Sequence, residues 1–388
     1  MRIVADENIP LLEAFCGDVG ALTRVNGRSL IRDQLRDADV LLVRSVTRVD
    51  AALLAGTNVR FVGTATIGTD HVDTQWLARQ GITFSSAPGC NASSVVQYVL
   101  SVLSVYLVRQ QRPGFDGLSV GVIGAGNVGG ALVQRLLALG VNVRVSDPPR
   151  QQQGADLPFA SLDDVLQCDV VSLHTPLTTA GPHATAHLLD AALLSRLGAG
   201  QLLINSGRGP VIDNRALLER MREPEAPLVA LDVWENEPEP LPELVDSCWL
   251  ATPHIAGCSL EGKCRGTEMI ARALHQWAGA DMPARLASVL PPPLLSELHF
   301  TDQVEPMDAL HRALMACYDP RDDDSRLRGA LARADAAGNP RGAAFDEQRK
   351  RYPVRREPSS LAVRVPPGSD TAKGLSKCGF EVIEASKA

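Results

Sequence analysis

The sequence predicts an α/β protein built on parallel sheets, with a smaller α+β module at its C-terminal end. Three observations lead there. Short, mainly apolar runs alternate with helical patterns over most of the chain, the order that crossover connections between parallel strands require. One such run, 118–123, enters Gly124-Ala125-Gly126-Asn127-Val128-Gly129 and a helical stretch over 128–139, giving strand, turn and helix in sequence. Beyond about Ala280 the texture changes, with Pro291-Pro292-Pro293 breaking the pattern and basic residues gathering at Arg349-Lys350-Arg351 and Arg355-Arg356.

Taken in order, 2–5, 40–43, 60–64 and 82–85 read as buried strands of a first domain spanning 1–92. Polar residues follow two of them, in Arg44-Ser45-Val46-Thr47 and Thr66-Ile67-Gly68-Thr69-Asp70-His71, where open parallel sheets hold ligands. Asn91 is placed to cap a helix starting at Ala92. In that helix Val95, Val99, Val102, Leu103, Tyr106 and Leu107 cover more than one face, so it should be enclosed and lead into a second domain, 93–257. Strands at 118–123, 141–145, 169–173, 201–205 and 228–231 make that domain a doubly wound parallel sheet. Residues 258–285 return as a helix to the first domain, and 286–388 form the C-terminal module, with a helix over 307–318 and strands over 361–365 and 379–383.

At 388 residues the chain is long for one core, and about 150 residues per domain suggests two or three, hence a cleft. The 45% hydrophobic and 21% charged residues are those of a globular chain. A net charge of −7 argues against nucleic-acid or membrane-surface binding through bulk electrostatics, so an anionic substrate must be held locally. The 8 cysteines include no Cys-x-x-Cys pair and no zinc-type spacing with histidine, which fits a reducing cytoplasm and no metal. The acidic opening Met1-Arg2-Ile3-Val4-Ala5-Asp6-Glu7 is unlike a secretion signal. The apolar stretch 92–108 is broken by Ser93, Ser94, Gln97, Ser101 and Ser104 and reads as a buried helix.

In the glycine turn, Gly124 permits a tight bend, Gly126 lets backbone approach a pyrophosphate, and Gly129 lets the helix pack on its strand. The helix N-terminus at Asn127 and Val128 adds amides and partial positive charge. Asp147, closing the next strand, can accept both hydroxyls of a ribose and repel a 2′-phosphate, which favours NAD over NADP despite the nearby Arg150. Thr175, in His174-Thr175-Pro176-Leu177 at a later strand end, is placed to face the cofactor.

Three further residues supply the chemistry of alcohol oxidation beside a carboxylate. Arg208, in Asn205-Ser206-Gly207-Arg208-Gly209, offers a planar fork for the carboxylate and polarises the oxygen of the reacting carbon. His254, in Thr252-Pro253-His254-Ile255-Ala256-Gly257, offers an imidazole, the side chain best suited to take the hydroxyl proton. Glu237, in Asp232-Val233-Trp234-Glu235-Asn236-Glu237-Pro238, can bind the other ring nitrogen and fix its tautomer. Asp232 ends its own strand and is placed for the nicotinamide amide.

These motifs resemble the D-isomer-specific 2-hydroxyacid dehydrogenase family over residues 2–278. Longer runs resemble one branch of it: Ala5-Asp6-Glu7-Asn8, Val43-Arg44-Ser45-Val46-Thr47, the stretch 63–73, Ala87-Pro88-Gly89-Cys90-Asn91-Ala92 and Phe345-Asp346-Glu347-Gln348-Arg349-Lys350. The resemblance implies a Rossmann NAD domain, a flavodoxin-like substrate domain and a C-terminal domain used for homodimer formation. It implies NAD-dependent oxidation of 4-phospho-D-erythronate to the 2-oxo acid, a step of pyridoxal 5′-phosphate (vitamin B6) biosynthesis. Catalytic Arg208, Glu237 and His254 follow from it, with Arg44, Ser45, Thr66 and Cys258 at the substrate. Asp147, Thr175, Ser206, Asp232 and Gly257 would then join the glycine turn at NAD. Cys258 stands where the family commonly has tyrosine, and losing that hydroxyl costs binding about 0.5 to 1.5 kcal/mol, or up to ~3 against a charged group, without changing the reaction. Arg44, or the cluster 349–356 across a dimer interface, supplies cations for the phosphate. Two other readings stay open: a related dehydrogenase of the phosphoglycerate type, and an NAD-sensing interaction protein without catalysis.

Overall fold

A computed structural model of the chain describes residues 1–282, 284–367 and 369–384. The chain divides into two compact units, one of Met1–Ala92 with Cys258–Pro292 and one of Ser93–Gly257 with Pro293–Ala388.

The first unit holds five parallel strands, β1 (Arg2–Asp6), β2 (Ala21–Val25), β3 (Val40–Val43), β4 (Phe61–Thr64) and β5 (Thr83–Ser85), in the order β2-β1-β3-β4-β5. That is the flavodoxin-like order. Alternation along β1, β3 and β4 sends successive side chains into two cores, which explains why those runs are mainly apolar. Ile3, Ala5, Val40, Leu42 and Phe61 enter one core with Ile270 and Leu274 of helix Leu260–Ala278, while Val4, Leu41, Val43 and Val62 enter the other with Leu77. Ser259 starts the long helix by accepting from the Gly262 amide at 2.8 Å.

The second unit carries β6 (Ser119–Ile123), β7 (Asn142–Ser146), β8 (Val170–Leu173), β9 (Leu202–Asn205), β10 (Leu228–Leu231) and β11 (Leu250–Ala251), all parallel, in the order β11-β10-β9-β8-β6-β7. From β6 the sheet grows one way to β7 and the other way to β8, and the C-terminal ends of β6 and β8 therefore flank the switch point where such sheets bind ligands. In helix Ala92–Arg109 every side chain from Ser94 to Leu107 is buried, as the spread of apolar positions predicts. Its expected cap is absent: the Asn91 Oδ1 is buried and accepts no hydrogen bond.

Residues 293–384 pack as part of this second unit. Their strands β12 (Glu297–His299), β13 (Ala362–Val365) and β14 (Glu381–Glu384) are parallel, in that order, and are joined through helices Pro306–Cys317, Pro320–Ala336, Arg341–Lys350 and Asp370–Cys378. Leu327, Leu331 and Phe345 from these helices share one core with Val211, Trp234, Leu244, Val245 and Ala251 of the sheet domain. Burying large apolar side chains at about 1.5–3 kcal/mol each makes this docking substantial.

Candidate active site

The glycine turn closes β6 as its spacing requires. Gly124 takes φ +87°, which an L side chain rarely adopts. A Cβ at Gly129 would lie 1.9 Å from the Gly124 carbonyl oxygen, so only glycine lets helix Asn127–Ala138 sit this close. At Gly126 an added Cβ would meet nothing within 4 Å, which leaves the helix N-terminus open to a ligand. Asp147 ties the end of β7 to this turn, its Oδ2 accepting from the Ala125 amide at 2.7 Å and its Oδ1 from the Arg150 amide at 3.0 Å. Lone pairs remain for hydroxyl donors, since a carboxylate accepts about four bonds.

Across the switch point, Thr175 abuts Gly124, its Cγ2 only 2.7 Å from where a Cβ would stand. The Thr175 Oγ1 is buried and has no hydrogen-bond partner in the protein. An open helix end and an orphaned hydroxyl fit a dinucleotide laid over the turn. His174 is buried between Ser172 Oγ at 2.8 Å from Nε2 and Ser206 Oγ at 3.4 Å from Nδ1. Burial pushes its pKa down to about 4, so the ring is neutral at working pH.

Arg208 follows β9 in a turn spanned by Asn205, whose Oδ1 accepts from the Gly207 amide at 3.1 Å and whose Nδ2 donates to the Arg208 carbonyl at 3.0 Å. The half-buried Arg208 donates from NH1 to the Gly207 carbonyl at 2.9 Å. Gly209 presses on the next loop, where an added Cβ would sit 2.0 Å from the Trp234 carbonyl. In that loop Glu237 Oε1 accepts from the Trp234 amide at 2.9 Å and Oε2 lies 2.7 Å from His254 Nδ1. Burial raises the Glu237 carboxyl, but the hydrogen bond and charge of His254, the Trp234 amide and Arg349 outweigh it and hold the pKa below the usual value. The carboxylate therefore stays ionised and accepts the hydrogen bond of Nδ1–H, which leaves Nε2 free to accept a proton.

The His254 backbone adopts φ +56°, unfavourable for a residue with a Cβ. Asp232 holds it there. Its carbonyl accepts from the His254 amide at 2.7 Å, and its carboxylate, 1% exposed, accepts from the Ile255 amide at 2.8 Å, the Ala256 amide at 2.9 Å and Thr252 Oγ1 at 2.7 Å. This loop-organising part of Asp232 was not legible from its strand-end position. Nor was His187, whose Nε2 lies 2.6 Å from Glu235 Oε1 while Glu235 Oε2 accepts from the Asn214 amide at 2.9 Å.

In the first unit, Ser45 is exposed and Arg44 half-buried just past β3. Thr66 Oγ1 lies 2.7 Å from Thr64 Oγ1 and 3.1 Å from the Gly68 carbonyl oxygen, while Thr64 Oγ1 is 3.0 Å from His71 Nε2. Cys258 is half-buried immediately before the Ser259 cap.

A reversal point bearing a glycine turn, followed by an arginine loop and a carboxylate–imidazole pair on the next strand exits, defines an NAD-dependent 2-hydroxyacid dehydrogenase. Comparison with known proteins agrees. Residues 108–256 match the D-isomer specific 2-hydroxyacid dehydrogenase, NAD binding domain family, and residues 289–379 match a domain of unknown function, DUF3410. Solved structures share the fold: TT0316 protein from Thermus thermophilus, at TM-score 0.60 and 26% identity over 73% of this chain and 99% of that one, is similar. So is an NAD-dependent formate dehydrogenase from Staphylococcus aureus in complex with NAD, at TM-score 0.56 and 23% identity over 71% of this chain and 95% of that one. The erythronate-4-phosphate dehydrogenase of Marinobacter nauticus is 54% identical over 381 residues, 97% of this chain and 96% of that one. That of Hahella chejuensis is 47% identical over 98% of this chain and 99% of its own. The chain belongs to the erythronate-4-phosphate dehydrogenase family, within the D-isomer-specific 2-hydroxyacid dehydrogenases.

Proposed function

We propose that the chain oxidises 4-phospho-D-erythronate to 3-hydroxy-2-oxo-4-phosphobutanoate with NAD, a step of vitamin B6 biosynthesis. The observation that carries this reading is the 2.7 Å contact between His254 Nδ1 and Glu237 Oε2, on strand-exit loops of the sheet that bears the glycine turn. Bound NAD supplies the acceptor for the hydride that leaves the alcohol carbon. His254 Nε2 takes the hydroxyl proton as the carbon–hydrogen bond breaks, and Glu237 stabilises the imidazolium so formed. Arg208 holds the substrate carboxylate and polarises the oxygen that becomes a carbonyl.

The cofactor is assigned to Gly124, Gly126, Asn127, Val128 and Gly129 for the pyrophosphate, Asp147 for the ribose, and Thr175, Ser206, Asp232 and Gly257 around the remainder. Arg44, Ser45, Thr66 and Cys258 are assigned to the phosphorylated acid. The full-length match to erythronate-4-phosphate dehydrogenases supports this substrate over phosphoglycerate. We further propose a cytoplasmic homodimer assembled through the C-terminal module, which sedimentation of the full chain, and of full-length variants with charge reversed at exposed positions of that module, would test. Turnover on a panel of D-2-hydroxy acids tests the substrate: 4-phosphoerythronate should give the highest kcat/KM, and a preference for 3-phosphoglycerate would overturn the reading.

A further inference from the structure

The strand exit that carries His254 is gripped at both ends by the C-terminal module. At one end the Ala251 amide donates to Asp324 Oδ1 at 2.8 Å. Asp324 is fixed by Arg328 Nε at 2.9 Å, and the same guanidinium reaches the Val245 and Cys248 carbonyls at 2.8 Å each. At the other end Arg355 donates from NH2 to the Ala256 carbonyl and, at 3.1 Å, to the Ser94 carbonyl. Arg355 is 5% exposed, with its guanidinium 4.4 Å from the centre of the Tyr318 ring. A buried cation is costly unless its donors are used, and here Nη2 is spent on two backbone carbonyls, one of them two residues from the imidazole.

Glu237 is backed from the same module. A Cβ at Gly342 would lie 2.8 Å from Glu239 Cγ and 3.3 Å from Pro238 Cγ, and the fully buried Phe345 shares the core of Trp234. Between the two anchors, His254 sits at φ +56°. A backbone conformation that its own residue disfavours persists where surrounding contacts over-determine it.

We infer that the C-terminal module shapes the proton-transfer site of its own chain, with Arg355 a positioning residue for His254 and Asp324 its counterpart at the other end of the loop. The inference rests on His254 as the proton acceptor. It gives the module a task apart from any contact between subunits.

The test uses full-length Arg355→Met, which removes both hydrogen bonds to the backbone carbonyls, and Arg355→Lys, which restores the charge and can remake one of them. Misplacing a catalytic group by about 1 Å costs on the order of 100-fold. We expect kcat to fall by about that factor in the Met variant and about 10-fold in the Lys variant, with NAD affinity within about threefold of the parent. Amide hydrogen exchange at Ile255 and Ala256 should quicken, and the acidic limb of the kcat–pH profile should move. Asp324→Asn should lower kcat by roughly 3- to 10-fold with the same signature, and it decides the matter if Arg355→Met does not fold cooperatively. Arg364→Ala, which removes an exposed pair with Glu297 at 3.0 Å in the module's own sheet, should behave as the parent. A folded Arg355→Met chain with kcat within twofold of the parent overturns the proposal, as does a parent-like Asp324→Asn chain. Quicker exchange in a chain whose His254→Ala form stays active would sink the catalytic assignment while leaving the clamp standing.

Discussion

Replacing Glu237 by glutamine should harm catalysis more than replacing it by alanine. The reason lies in how the two carboxylate oxygens are used. Oε1 accepts from the Trp234 amide at 2.9 Å and Oε2 faces His254 Nδ1 at 2.7 Å. In Glu237→Gln the amide oxygen stays with the Trp234 N–H, so the amide nitrogen points at Nδ1 and donates to it. The imidazole must then carry its proton on Nε2, the wrong tautomer for accepting one from the substrate. The same inversion in a serine-protease triad costs on the order of 10,000-fold, and a loss of about 1,000- to 10,000-fold in kcat is expected here. Glu237→Ala removes a charge-assisted hydrogen bond worth about 1.5–3 kcal/mol, or roughly 10- to 150-fold, but leaves both tautomers available. Single-turnover NADH formation measures the chemical step apart from product release. An alanine variant slower than the glutamine variant, both folded, would refute the tautomer argument.

Other changes follow from the same geometry. Thr175→Val removes a hydroxyl that has no partner in the protein, so melting temperature should hold while NAD affinity, read by fluorescence titration, falls about 2- to 12-fold for one lost hydrogen bond of 0.5–1.5 kcal/mol. Unchanged NAD affinity would remove Thr175 from the cofactor site. Gly129→Ala forces a methyl against the Gly124 carbonyl, and overpacking of about 1–3 kcal/mol should appear in urea unfolding together with weakened NAD binding. Burial lowers His174 from 6.5 to about 4, so the unfolded chain binds a proton that the native ring refuses. The stability tied to this is fully present above about 6.5 and is lost as pH falls towards 4, on the order of 3 kcal/mol in all. Urea unfolding of the parent at neutral pH and near pH 4.5 should show most of that loss, and His174→Gln should flatten it; equal slopes would contradict the assignment.

Much of this architecture was readable because buried parallel strands are apolar on both faces. β3, β4, β6 and β8 to β10 announce themselves that way, β7 shows itself by alternation of Val143 and Val145 with polar neighbours, and the glycine turn fixes the cofactor end of the second sheet. β2 did not, since Ala21–Val25 is an edge strand with exposed and half-buried positions in no clean alternation. β11, only two residues long, and the edge strand β12 carry too little pattern to be seen. The Glu237–His254 pair was inferable from residue type and strand-end placement. Its supports were not, because Arg355 meets Ala256 across 99 positions and Asp324 meets Ala251 across 73, and no local periodicity encodes such pairings. Asn91 failed as a cap for a related reason: its residue type suits the role, but the folded backbone leaves its oxygen without a donor.

Stereospecific NADH formation from 4-phospho-D-erythronate by the full chain and by His254→Ala tests the central claim most directly. A positioned base contributes about 100- to 10,000-fold, so the variant should bind NAD as the parent does and lose two to four orders of magnitude in kcat. A folded His254→Ala chain that retains most of its activity would contradict the account.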